Sequence, residues 1–543
     1  MKKIFGILMA LVLLSALLVA CAEPAPAPAP SPTPAPAPAP APAPSPTPAP
    51  SPTPAPAPAP APAPGVDKYG GVLKIPLTVG PATPIGYPSE GAPDAQDDAR
   101  PCLENLITAK GGGVIEAVLA TGWEIASDGK SIKITLRKGV RFHDGTDFNA
   151  AAVKFNLDNM IAAKKVPEWQ SVDIIDDYTV QLNITGLTNG ILTTLGTSYT
   201  QMISPTAVEK NGLEWARWHP VGTGPFKFVE YDRDVKLVYE RNENYWQPGK
   251  PYLDGIEYHV IADETVRKIA FEMGDVHTLR GSGMNAQELK NLGYPYTVRA
   301  GGTYLLIPDS TNPESPFADR NVRLAVEYAI DREALADALG YGFMRPAYQV
   351  YPGFEVTRVP NLEEHNYNPA KARQLLTDAG YPDGFKTKIH AFIRVVPKDY
   401  VSAIVNMLRE VGIEAESDFP EAGRYTELRF GGWNDGMMAH AMASFDENMF
   451  RGFSFYFGST QFPSVQKPDG WSEAYYDALY SSSVDPLKVQ KLVKLMYDET
   501  MVIPYLEETA VQFFQMGVHD TGMLEASLFV WYPENTWLDP DLR

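Results

Sequence analysis

Histidines, cysteines, paired carboxylates and glycine-rich turns are the groups with which this chain could do chemistry, and their spacing argues against the familiar reaction centres. The eight histidines, His143, His219, His259, His277, His365, His390, His440 and His519, are scattered. No two stand at the spacing that sets two imidazoles on one helix face, so no metal site is expected. Gly281-Ser282-Gly283 and Gly222-Thr223-Gly224 do not extend into a dinucleotide or phosphate loop, and no Gly-x-Ser-x-Gly elbow occurs. Asp97-Asp98, Asp176-Asp177 and Glu507-Glu508 could form an acid–base pair only by meeting another acid in space. In an acidic chain such neighbours are expected on the solvated surface. No cofactor and no catalytic set is therefore expected.

The two cysteines point elsewhere. Met1-Lys2-Lys3 precedes an apolar run from Ile4 to Ala20 that ends at Cys21. A charged start and a short apolar core describe a secretory signal, since a membrane span needs about 20 apolar residues. Leu18-Val19-Ala20-Cys21 resembles the bacterial lipobox, which implies cleavage before Cys21 and a thioether-linked lipid on it. Cys102, within Pro101-Cys102-Leu103-Glu104-Asn105-Leu106-Ile107, is expected to be buried as a small apolar side chain. With Cys21 lipidated, no disulfide joins the two.

From Pro24 to Pro64 every even position is proline, with alanine between except at Ser31, Thr33, Ser45, Thr47, Ser51 and Thr53. Such a run makes no helix or ladder hydrogen bonds and stays extended, reaching roughly 120 Å at ~3.1 Å per residue. It reads as a stalk over residues 21–65, after a signal peptide over 1–20. The net charge of −20 argues against a nucleic-acid partner, which needs concentrated Lys and Arg.

The remaining ~480 residues exceed what one core usually serves, and strand-like and helical runs alternate, so an α/β fold of at least two lobes is expected. Ser131–Leu136 alternates polar and apolar as a half-buried strand does. A helix begins at an Asn149 cap and sets Val153, Leu157, Met160 and Ile161 on one face. Ser204-Pro205 and Asn368-Pro369 place a cap before a first-turn proline, with Gly212 and Gly380 as stops. Asp232-Arg233-Asp234 lies between two strand-like runs as a hairpin turn.

The most specific words lie in the middle of the chain. Leu119-Ala120-Thr121-Gly122-Trp123-Glu124 and Leu136 through Thr146 are followed by Val221-Gly222-Thr223-Gly224-Pro225-Phe226, Glu240 through Trp246, Lys250 through Ile256, Asn321 through Glu333, and Tyr367 through Phe385. In this order they resemble the signature of family 5 extracellular solute-binding proteins, which include oligopeptide-, dipeptide- and nickel-binding proteins of ABC importers. The resemblance implies a two-lobed periplasmic-binding-protein-like (type II) fold that closes on a small-molecule or peptide ligand. It also implies delivery to an ABC permease, and a monomer held to the outer face of the cell membrane through Cys21. Residues 66–299 would form lobe I with an inserted subdomain near 100–200, residues 300–504 lobe II, and residues 505–543 the return to lobe I. The crossovers would lie near Gly301-Gly302 and Ile503-Pro504. A receptor for a signalling partner and a hydrolase on the same scaffold are the alternatives.

Peptide-binding members carry an Ala-Asp-Tyr-like word whose aspartate pairs with a peptide ammonium. Here Ala441-Met442-Ala443-Ser444-Phe445-Asp446 puts Ser444 at that position, and a serine cannot replace a buried charge partner. Asp446, two residues on, shares its side of a strand and could substitute. Trp433, Asn434, Phe445 and Tyr456 join these as expected pocket residues, aromatic rings offering contact area at low entropic cost. Arg451 is a candidate for a ligand carboxylate. Tyr87, in Ile85-Gly86-Tyr87-Pro88, is expected on the opposite wall.

Overall fold

The computed structural model describes residues 67–92, 97–109, 114–434, 436–443, 450–458, 461–480, 484–524 and 531–543; of Ser198, Phe450, Arg451, Ser454 and Phe455 only the backbone is described. Cys21 and the stalk lie outside the described residues, as do Ser444, Phe445 and Asp446.

Two four-stranded sheets come from the first part of the chain. In order, the strands are Val72–Leu77 (β1), Ala120–Ile125 (β2), Ser131–Leu136 (β3), Trp169–Asp176 (β4), Thr179–Ile184 (β5), Phe226–Asp232 (β6), Lys236–Arg241 (β7) and Gly255–Val260 (β8). One sheet runs β2-β3-β5-β4, all antiparallel. In β3 the alternation is met: Ile132, Ile134 and Leu136 are buried, Lys133 and Thr135 exposed. Against this sheet packs Ala150–Ala162 (α1), capped by the Asn149 side chain, which accepts from the Ala152 N–H; Val153, Leu157 and Met160 join its core. The other sheet runs β1-β8-β7-β6, with β1 parallel to β8, and has a separate core around Leu73, Phe226, Tyr239 and Ile256. Pro205–Asn211 (α2) begins at the Ser204 cap and stops at Gly212, whose φ of 83° is easy only for glycine. Asp234, at φ 60°, makes the turn between β6 and β7.

The rest of the chain builds a seven-stranded sheet. Its strands are Thr278–Gly281 (β9), Tyr296–Pro308 (β10), the short Met344–Pro346, Phe385–Ala391 (β11), Ile413–Asp418 (β12), Gly436–Met442 (β13) and Ile503–Phe514 (β14). The order is β9-β14-β10-β13-β11-β12, with Met344–Pro346 on β14; β11 is parallel to both β12 and β13. Helices cover both faces, so the central strands are buried on both sides and read as nearly continuous apolar runs. Leu305 and Ile307 face one core with Met438 and Met442, while Leu306 faces the other with Met437, Ala439 and Ile503. Arg320–Ala329 (α3), Arg332–Leu339 (α4), Pro369–Asp378 (α5) and Lys398–Glu410 (α6) pack on the second of these faces. α5 starts at the expected Asn368 cap, which accepts from the Lys371 N–H, and Gly380 beyond its end has φ 89°. Ala422–Gly431 (α7), Phe450–Phe457 (α8), Trp471–Leu479 (α9) and Pro486–Asp498 (α10) belong to the first face.

Both expected crossovers fall within long strands of this sheet. Gly301-Gly302 lies inside β10, at a register shift against β14, and a Cβ on Gly302 would stand 2.5 Å from the Met442 carbonyl oxygen. The two glycines therefore permit close strand approach within one sheet. Ile503-Pro504 opens β14. The stretches 278–299 and 505–514 both contribute strands to the seven-stranded sheet. That sheet meets β1 at His277, whose N–H donates to the Lys74 carbonyl (2.8 Å) while the Gln515 N–H donates to the His277 carbonyl (2.9 Å).

Candidate ligand site

The parallel strands β11, β12 and β13 present their carboxyl ends at one edge of the sheet, where ligands of open α/β sheets bind. β13 ends at Met442, and the next residue, Ala443, is gripped from both sides. Its N–H donates to the Tyr456 hydroxyl (3.0 Å), and its carbonyl accepts from the Tyr351 hydroxyl (3.0 Å). Tyr351 is fully buried, takes a positive φ of 51°, packs edge-on against Phe453 and donates its N–H to Thr303 Oγ1 (2.9 Å). Gly452 of α8 passes so close that a Cβ there would lie 2.7 Å from the Tyr351 hydroxyl. The backbone entering Ser444–Asp446 is thus fixed by buried side chains.

Thr303 also aligns this edge with an acid. Met442, Thr303 and Glu507 stand in one row across β13, β10 and β14. The Glu507 carboxylate accepts from the Gly353 N–H (2.7 Å) and pairs with the guanidinium of Arg345, which is half exposed. Burial pushes the Glu507 carboxyl up, and Arg345 and the Gly353 bond oppose the shift. Glu507 is fully buried, which corrects its expected place on a solvated surface; Asp176 and Asp177 are exposed as expected. Sequence reasoning missed Glu507, Arg345 and Tyr351.

The expected pocket residues are not all brought together. Trp433 is buried against Phe462, with its indole N–H donating to the Gly436 carbonyl (3.3 Å). It precedes the amino end of β13, and its ring packs on Phe462, which in turn stacks on Tyr456, so Phe462 stands between Trp433 and the tyrosine that braces Ala443. Trp433 and the exposed Asn434 line a different cavity, of about 670 Å³, with Lys388, His390 and Arg409. Tyr456 sits at the candidate site, but its ring is buried and its hydroxyl braces backbone. Arg451 is described only as backbone, in α8. Tyr87 packs half-buried on the core of the β1 sheet, and Gly86 is pressed against the 213–217 segment, where an added Cβ would be 2.1 Å from the Ala216 carbonyl oxygen. Ile85 is buried in that core, and Tyr87 lies beside it partly exposed.

The words quoted from the first part converge on one carboxylate. Glu104 accepts from Thr223 Oγ1 (2.8 Å), the Tyr245 hydroxyl (2.7 Å) and the Trp246 indole N–H (3.0 Å), with the Arg137 guanidinium over the Trp246 ring at 4.3 Å. Desolvation pushes Glu104 up to about 7 against these three bonds. Gly222 and Gly224 let this loop press on the Pro101-Cys102 backbone: a Cβ on Gly222 would be 2.1 Å from the Cys102 carbonyl oxygen. Cys102 is fully buried, 3.5 Å from His143 Nδ1 and 3.2 Å from the Pro220 carbonyl oxygen. Burial pushes the thiol up to about 12 and His143 down to about 4, so this pair is a neutral packing contact with no thiolate. Among the described residues no group of three or more His, Cys, Asp or Glu could hold a metal, and no helix is long and apolar enough to cross a membrane.

A model of the bacterial extracellular solute-binding proteins, family 5, matches residues 114–462. The chain belongs to that family. Over 319 residues this family 5 protein is 31% identical to the glutathione-binding protein GsiB of Salmonella choleraesuis (strain SC-B67); the match covers 57% of this chain and 62% of that relative. The solved structure of the periplasmic binding protein DppA from Helicobacter pylori, in complex with the peptide STSA, is similar with a TM-score of 0.71 and 22% identity over 87% of this chain and 99% of that one. HbpA2 from Haemophilus parasuis is similar with a TM-score of 0.76 and 19% identity, over 86% of this chain and 100% of that one. The fold is that of a type II periplasmic binding protein.

Proposed function

We propose that this family 5 protein captures a peptide-like or other small organic solute outside the cell and passes it unchanged to an ABC permease. The observation that carries this reading is the gripped end of β13: Ala443 is fixed by Tyr351 and Tyr456 beside the Glu507–Arg345 pair, at the edge where parallel strands end. Such a frame positions polar groups for binding. The relatives named for glutathione and bound to STSA agree in ligand class. We assign the ligand contacts to Ser444, Phe445, Asp446 and Arg451, and leave Trp433 out because it is buried with Phe462 between its ring and Tyr456. We place the lobe boundaries at His277 and Gln515, where sheet membership changes. Lipid on Cys21 would hold the protein at the outer face of the membrane, with the stalk as spacer.

Mass spectrometry of small molecules released by denaturing the purified protein tests the reading. A peptide-like solute, rebinding unchanged in calorimetry, is expected; conversion of that solute on incubation would overturn it in favour of catalysis. Replacing Cys21 with Ala should move the protein from the membrane to the soluble fraction, and retention in the pellet would refute the anchor.

A further inference from the structure

One described contact ties the β2–β5 subdomain to the large sheet's helices. The loop after β5 carries Asn189, whose backbone N–H donates to the Leu479 carbonyl (3.0 Å) and whose side-chain amide donates to the Ala478 carbonyl (2.6 Å). These carbonyls belong to the last turn of α9, which in an isolated helix has no internal donors. Both ends of the contact are rigid. Thr193 and Thr194 each donate a hydroxyl to the Gly190 carbonyl (2.9 Å) and so brace the loop, while α9 buries Trp471, Ala474, Tyr475 and Ala478 in the second part's core. Asn189 itself is buried. The two ends are built on different hydrophobic cores, so the bonds break only if those bodies separate.

We propose that Asn189 is a closure latch, holding the two lobes together by capping α9 in trans and thereby setting how far the protein closes before a ligand binds. This rests on the capture reading above. The latch lets a neutral pair of hydrogen bonds bias the closed state by a modest factor and leaves the ligand to supply the rest. A stronger tie would close an empty pocket.

Small-angle scattering and amide hydrogen exchange on the purified full chain without ligand test the latch. Asn189→Ala removes the side-chain bond and should lower the closed-to-open ratio about threefold to tenfold, the scale of one neutral hydrogen bond. Asn189→Asp should open the protein further, because its carboxylate faces two carbonyls at the negative end of a helix. Acidification that protonates this carboxyl should restore the donor and shift the scattering back toward the wild-type curve, an effect that loss of packing would not produce. Superimposable scattering for the wild type and both variants would overturn the latch. That result would leave solute capture standing, since capture is tested separately by the released ligand.

Discussion

Glu104 in the first part and Glu327 in the second are both carboxylates drawn in from solvent, and their partners are of opposite kinds. Glu104 is surrounded by neutral donors from Thr223, Tyr245 and Trp246, and desolvation pushes it up to about 7. Glu327 instead meets Arg332, whose side chain is fully buried, at 2.6 Å. That guanidinium also donates to the carbonyls of Ala347 (3.0 Å), Pro504 (2.9 Å) and Glu327 itself (2.9 Å), joining α3, α4 and β14. The first carboxylate is therefore held among neutral donors, whereas the second is held in an ion pair.

The largest effect should come from breaking the ion pair. Arg332→Ala leaves the buried Glu327 carboxylate without its guanidinium, with His365 Nδ1 3.8 Å away as its remaining neighbour, and breaking a buried pair in this way costs about 3–5 kcal/mol. Urea unfolding should show this as an early transition of the second part. Replacing both partners with methionine should recover most of the loss, and a single variant within 1 kcal/mol of wild type would show that water reaches the site. Glu104→Ala ranks next. It strips the acceptor from three donors, each worth about 1 kcal/mol or more when left unsatisfied, and should lower the first part's stability by roughly 3 kcal/mol.

A pH series sharpens the contrast. Because the folded pKa of Glu104 lies above its ordinary 4.5, the folded state holds the proton more tightly than the unfolded one. The stability this contributes is complete below about 4.5 and is lost as pH rises through about 7. Wild type should thus melt at a lower temperature at pH 8 than at pH 5.5 relative to Glu104→Gln, which cannot ionise. Equal melting curves across that range for the two proteins would place Glu104 in contact with solvent.

What could be read in advance followed locality. The helix starts at Asn149, Ser204 and Asn368 were legible because a cap and the N–H it accepts from lie three residues apart. Alternation in Ser131–Leu136 was legible for the same reason. Glu507 was not, since its burial depends on Arg345 and Gly353, more than 150 residues away, and adjacent acids resemble surface. Trp433 misled in the opposite way: polar Asn434 beside it suggested a pocket, while Phe462 and the Gly436 carbonyl hold it inside. At Gly301-Gly302 the glycines were legible but not the strand approach they permit, since Glu508 and Met442 lie more than 100 residues away. The candidate site depends on contacts distant in sequence.

The smallest expected effect on stability falls at the gripped strand end and bears most directly on function. Tyr456→Phe removes the acceptor for the Ala443 N–H, and Tyr351→Phe removes the donor to its carbonyl, each at about 1 kcal/mol or less. Neither ring has to move, so the core around Phe453 and Phe462 keeps its packing. The freed backbone leads straight into Ser444–Asp446, so positional freedom there is paid for out of ligand affinity. Calorimetry with the recovered solute should show a loss of about threefold to tenfold for either variant, and a larger loss for the double variant than for either alone. Trp433→Phe serves as the internal comparison: it keeps a buried ring near the other end of β13 and should leave affinity unchanged. If Trp433→Phe weakens binding while the two tyrosine variants do not, the ligand lies beside the cavity at Lys388 and Arg409, and the assignment of the carboxyl edge is wrong.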